Sequence, residues 1–182
     1  MRHATLISFL FLCYFYVQGQ TIQPAPPDKA VIYFVRPSSL GFAINFSYFD
    51  STQLIGKFNG PAYIRYACKA GRHIFWARSE NKNFVEADVE AGKIYFIEAI
   101  VNMGAIKAAV RLDPLDPDDQ KRMKSVLKLI AKEPSESFSD DELRAQEKKM
   151  EAIITRGLEK YNADKQKGRT LARLNKDMYY KK

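Results

Sequence analysis

The sequence predicts a mainly β protein: an antiparallel β-sandwich of about eight short strands followed by a C-terminal helical extension. Three observations predict it. Short β-branched and aromatic runs recur between positions 29 and 113, and turn residues separate them closely. No helical periodicity interrupts them until Pro117. That spacing fits a sandwich or partly open barrel, not a parallel βαβ sheet. The expected boundaries are a leader over 1–19, a proline-rich linker over 20–28, the sandwich over 29–113 and a charged helical extension over 114–182.

The leader combines Arg2 and His3 with an apolar run over 6–17 and then Gln18-Gly19, the composition of a secretory signal. Val17 and Gly19 suit the −3 and −1 positions for a cut after Gly19, and a cut after Gln20 fits as well. The apolar run is shorter than the ~20 residues that span a bilayer. Leu12 is bulky where a lipid anchor at Cys13 needs a small residue, which argues against lipidation. An exported protein of the periplasm, outer envelope or extracellular space is expected. Residues 20–28 hold three prolines and read as extended chain.

The strands follow in order. Residues 29–36 (KAVIYFVR) are apolar on both faces. In 42–50 (FAINFSYFD), Phe42, Ile44, Phe46 and Tyr48 share one face. A strand over 52–58 closes at Asn59-Gly60, a hairpin dipeptide. Residues 62–68 set Ile64 and Tyr66 against Tyr63 and Arg65. A turn at Lys69-Ala70-Gly71 leads into the stretch carrying Ile74, Phe75 and the only tryptophan, Trp76. Strands over 84–89, 93–101 and 105–113 complete the set, the last with Ile106, Ala108, Val110 and Leu112 on one side.

In 93–101 (KIYFIEAIV), Tyr95, Ile97, Ala99 and Val101 form one face, and Ile94, Phe96 and Ile100 share the other with Glu98. Ile74-Trp76 against Phe75-Ala77 behaves alike. A sandwich strand ordinarily keeps one wet face, so something must cover the outer one. The helices after Pro117 are the expected cover. A partner protein, or a carbohydrate stacked on Trp76 and Tyr63, is the alternative.

At 112–119 (LDPLDPDD) the composition changes: Asp116 or Asp118 suits a helix cap and Pro117 a first turn. Met123, Val126, Leu127 and Ile130 then recur at helical spacing. A hinge over 133–137 precedes Ser139, which with Glu142 forms a capping box. The second helix carries Leu143, Met150, Ile153, Ile154, Leu158 and Tyr161 along one stripe, and Gly168 interrupts it. Residues 165–182 hold seven basic side chains and one acidic, read as a frayed, solvated helix end whose charge also suits peripheral contact with an anionic membrane surface.

The 182 residues are 46% hydrophobic with a formal charge of +8, ample for a core and permissive of anionic partners. Export argues against nucleic acid as a partner. With Cys13 in the leader, Cys68 stands alone, which removes a disulfide framework and reads as a small buried hydrophobe. Glycine-rich phosphate loops, HExxH, GxSxG and EF-hand spacings are missing from the sequence. His73 reads as a hydrogen-bonded core or rim histidine, and Glu86 with Asp88 as a solvated strand face; a hydrolase would use that pair as acid and base. Asn45-Phe46-Ser47 matches a glycosylation sequon. No catalytic residue, metal ligand or cofactor is assigned, and the candidate ligand-binding residues are Trp76, Tyr63 and Arg65.

Several turns carry a resemblance: Phe34-Val35-Arg36-Pro37, Ile55-Gly56, Asn59-Gly60-Pro61-Ala62-Tyr63, Ala70-Gly71-Arg72-His73 and Ala91-Gly92-Lys93-Ile94-Tyr95-Phe96. In these, residues 29–113 resemble the bacterial envelope family called domain of unknown function 2846. The resemblance implies a transthyretin-like or PEGA-like sandwich in exported, often lipid-anchored proteins without an assigned activity. The helical tail and the residue before Cys13 depart from that pattern, and no functional residue carries over. The expectation is an exported non-enzymatic binding or structural module of the cell envelope, with an envelope protein or glycan as partner; a carbohydrate- or peptidoglycan-binding module using outer-face aromatics is the alternative.

Overall fold

A computed structural model describes residues 21–103 and 108–181. The leader with Cys13, the expected strand start at 105–107 and Lys182 lie outside the described residues. The elements run β1 (Lys29–Arg36), β2 (Phe46–Asp50), β3 (Gln53–Phe58), β4 (Ala62–Lys69), β5 (Gly71–Arg78), β6 (Lys82–Val89), β7 (Ile94–Met103), β8 (Ala108–Pro114), α1 (Gln120–Lys132), α2 (Asp140–Gln166) and β9 (Ala172–Leu174). The strands form a four-stranded first sheet, β4-β1-β7-β8, and a five-stranded second sheet, β3-β2-β5-β6-β9.

Alternation decides which side chains meet. Ile32, Phe34, Tyr95 and Ile97 of the first sheet face Phe46, Tyr48, Phe75 and Val85 of the second in a common core. The opposite faces are equally apolar, and each has its own helix. Val31, Tyr33, Val35 and Phe96 pack under Met123, Val126 and Ile130 of α1. Phe49, Leu54, Trp76 and Phe84 pack under Ile154 of α2, with Leu143, Met150 and Tyr161 around them. The molecule is therefore a four-layer stack, helix on sheet on sheet on helix. The intramolecular cover expected from the two-faced strands is present on both sides.

Four details differ from the sequence reading. Residues 42–45 are not strand: the guanidinium of Arg36, fully buried, donates to the carbonyls of Leu40 (2.9 Å), Gly41 (2.5 Å) and Ile44 (2.7 Å) and gathers 37–45 into a loop. Gly41 turns there at φ +62, and Phe42 is left 69% exposed. Second, each sheet includes one parallel pair, β1 with β7 and β6 with β9. Third, Asp119 caps α1, its Oδ1 accepting from the Arg122 N–H at 3.1 Å, while Asp116 is used in the turn before it.

Fourth, the C-terminal segment is not a frayed helix end. Gly168, at φ +66, ends the helix, and β9 then adds itself to β6 with Leu174 buried in the core. Beyond it the Tyr180 N–H donates to the Ile94 carbonyl (2.8 Å), and its ring meets Phe96 edge-on at 5.7 Å. Four of the tail's cations are ion-paired: Lys165 and Arg173 with Glu86, Arg169 with Asp164, Lys176 with Asp88.

Exposed strand edges invite unwanted pairing, and both ends of the first sheet are blunted. Along β4, the Glu136 N–H donates to the Tyr63 carbonyl at 2.8 Å, and the Arg65 N–H donates to Ser135 Oγ at 3.1 Å. Along β8, Asn81 of the other sheet makes a two-way bond with the Val110 backbone (2.7 and 2.9 Å), and Asn83 Oδ1 accepts from the Leu112 N–H.

Candidate functional site: the cleft beside β4

Where the edge strands β3 and β4 part, a cleft of about 720 Å³ opens. One wall is β4; the other is the 135–138 connection and the first turn of α2, with Thr21 and Gln23 of the linker at the rim. Phe138 is inserted between the sheet edges against Gly56 and Ile64. A Cβ on Gly56 would lie 2.5 Å from the Phe138 ring, so only glycine admits that ring. The connection is pinned to β4 by the Glu136–Tyr63 backbone bond and by Ser135 Oγ.

Tyr63 and Arg65 both line this cleft. Tyr63 stands on the outer face of β4, its ring 5.9 Å from that of Tyr33, and burial together with the neighbouring Tyr33 pushes its phenol pKa up. Arg65 donates from Nη2 to the Pro24 carbonyl at 3.1 Å, which ties the linker to the sheet. Its Nε is enclosed and has no hydrogen-bond partner among the described residues. A buried donor left unpaired is costly.

Trp76 does not belong to the cleft. It lies fully buried beneath α2, stacked on Phe49 at 3.9 Å, and its indole N–H donates to the Ser51 carbonyl at 2.8 Å. The candidate trio therefore separates: two members meet in the cleft, and the third is core of the outer layer, with no face left for a ligand.

The cleft reaches residues that the sequence did not single out, above all Tyr66 and Gln53. Tyr66 donates to Asp50 Oδ2 at 3.1 Å. The same oxygen lies 2.7 Å from Nδ1 of His73, whose Nε2 lies 2.8 Å from the Lys69 carbonyl. A carbonyl and a carboxylate only accept, so both ring nitrogens donate and His73 is an imidazolium. The bond to Asp50 is the main cause, and it pushes the His73 pKa up to about 10. Burial first, and then Asp50, hold the Tyr66 phenol protonated. No lone pair remains on His73, consistent with the hydrogen-bonded core or rim histidine expected.

Glu86 and Asp88 are not a free carboxylate pair either. Glu86, with 23% of its side chain exposed, accepts from Lys165 Nζ at 2.6 Å and from the Tyr161 hydroxyl at 2.8 Å. The Lys165 bond and then the Tyr161 bond lower its pKa. The solvated strand face expected from the sequence is an anchor for α2 and β9. Cys68 is buried and free, as expected. Among the described residues no three His, Cys, Asp or Glu side chains converge on a metal position, and no helix is long and apolar enough to cross a membrane.

The resemblance to domain of unknown function 2846 rests on the turns quoted above. No protein-family model, no curated protein and no solved structure matches the chain.

Proposed function

We propose that this chain is an exported, non-enzymatic binding module of the cell envelope, and that the cleft beside β4 takes an extended glycan. One observation carries the reading: Tyr63 and Arg65 share a cleft with Tyr66 and Gln53, and the Arg65 Nε–H has no partner within the described residues. Aromatic rings beside a planar guanidinium and an amide suit the hydroxyl and acetamido groups of a sugar chain. The volume, about 720 Å³, is within the ordinary range of ligand sites. A non-enzymatic role is supported by the hydrogen bonds that occupy His73 and Glu86, two groups an acid–base reading would call on.

The test is co-sedimentation and titration of the full chain with isolated cell-wall glycan. Arg65→Ala is expected to weaken binding by roughly tenfold or more, the worth of one charge-assisted hydrogen bond. Equal binding by wild type and Arg65→Ala, or none by either, overturns the glycan reading.

A further inference from the structure

A second cavity, of about 450 Å³, lies where the β5–β6 hairpin meets the second half of α2. It lies about 20 Å along the α2 axis from the cleft beside β4, at a rise of 1.5 Å per residue between Leu143 and Arg156. Arg78, Lys82, Arg156 and Lys160 line it, with Glu80 as the one acidic lining residue.

The arrangement is unfavourable as it stands. Arg78 and Lys82 are directly opposite each other in the β5–β6 register, a like-charge pair that weakens a sheet. Neither forms an ion pair or side-chain hydrogen bond among the described residues. Arg156 donates only to the Ala152 carbonyl of its own helix, at 3.0 Å. Lys160 alone has a carboxylate, Asp164 at 2.7 Å. Burial, and then the charges of Arg156, Arg78 and Lys160, lower the Lys82 pKa, with Glu159 opposing them weakly. Arg122, by contrast, is neutralised by Glu98 and Asp113. Here a part-buried lysine sits among three cations without a counter-charge in contact with it.

We infer that the Arg78–Lys82–Arg156–Lys160 cavity is a binding site for a phosphate group. Two guanidinium forks and two ammonium groups arriving from a hairpin and a helix match a tetrahedral, doubly charged oxyanion better than a single carboxylate. The site is independent of the glycan cleft and shares no residue with it. Its phosphate is carried either by a soluble phosphoester or by a lipid headgroup.

The test uses the full chain and inorganic phosphate, with chloride and acetate at matched ionic strength as references, read by thermal unfolding and calorimetric titration. Wild type is expected to gain several degrees saturably in phosphate only. Lys82→Gln and Arg156→Gln are expected to unfold at a higher temperature than wild type without phosphate, since repulsion is relieved, and to lose the phosphate increment. The exposed Lys148→Gln, outside the cavity, keeps both wild-type behaviours. Vesicles separate the two sources: binding to phosphatidylglycerol but not phosphatidylcholine, displaced by phosphate, assigns a headgroup. Phosphate binding with no vesicle binding assigns a soluble phosphoester. A phosphate effect matched by acetate, absent in wild type, or retained in both Gln variants overturns the inference.

Discussion

Gly157 of α2 lies directly on Trp76 of β5, so close that a Cβ on the glycine would stand 2.6 Å from the indole Cη2 and 2.9 Å from Cζ2. The indole cannot retreat, because Phe49 is stacked on its other face at 3.9 Å. The glycine is where the helix backbone comes down onto the indole. Gly157→Ala therefore sets two effects against each other: about 1 kcal/mol gained in helix propensity and roughly 1–3 kcal/mol lost to overpacking. The close approach to a pinned ring decides the sign. A net loss of about 1–2 kcal/mol is expected in denaturant unfolding, and a gain would show that α2 can lift from the sheet at little cost.

The Arg36 guanidinium also has a measurable consequence. It serves three carbonyls of the 37–45 loop and lies 4.5 Å over the Phe46 ring, while burial lowers its pKa. Arg36→Met removes a buried charge but orphans those carbonyls, and the second effect is the larger. A loss of roughly 2 kcal/mol is expected, with faster amide exchange confined to residues 40–46. Uniform exchange across β1 would contradict the assignment.

His73 gives a pH signature. Its folded pKa, about 10, is above the ordinary 6.5, so the Asp50 pairing stabilises fully below pH 6.5 and is lost as pH rises toward 10. Wild type should lose up to a few kcal/mol across that window, and His73→Gln should be flatter. Parallel pH profiles for the two proteins would show that the imidazolium contributes nothing.

The C-terminal return is expected to be structural. Leu174 is buried in the central core, and β9 completes the second sheet beside β6. Leu174→Ala should cost roughly 2–4 kcal/mol, measured by denaturant unfolding. A loss below about 0.5 kcal/mol, the range of surface substitutions, would mean that β9 is peripheral.

These residues also show how far the sequence carries. The two-faced pattern of 93–101 announced a covered sheet, and Tyr95 and Ile97 do face the core while Ile94 and Phe96 meet α1's layer. The Ser139–Glu142 capping box is local chemistry and is found as read. What escaped was non-local. β9 is three residues long, and its pairing with Val85 and Ala87 depends on a partner 87 positions away in the Val85–Ala172 register. The alternation over 42–50 looked like one strand, yet three bonds from a buried arginine turn its first four residues, 42–45, into loop. Tyr63 and Arg65 were legible as an outer-face pair on β4. Their cleft was not, because the 135–138 connection that forms its second wall reads only as a hinge.

The division between a buried Trp76 and a binding cleft at Arg65 is tested most directly by the fluorescence of Trp76, the chain's only tryptophan. With and without saturating cell-wall glycan, its emission should stay blue-shifted and resistant to acrylamide, while Arg65→Ala weakens the binding and leaves that emission unchanged. A quencher-accessible indole, or an emission change on glycan binding that survives Arg65→Ala, would contradict the assignment of the cleft.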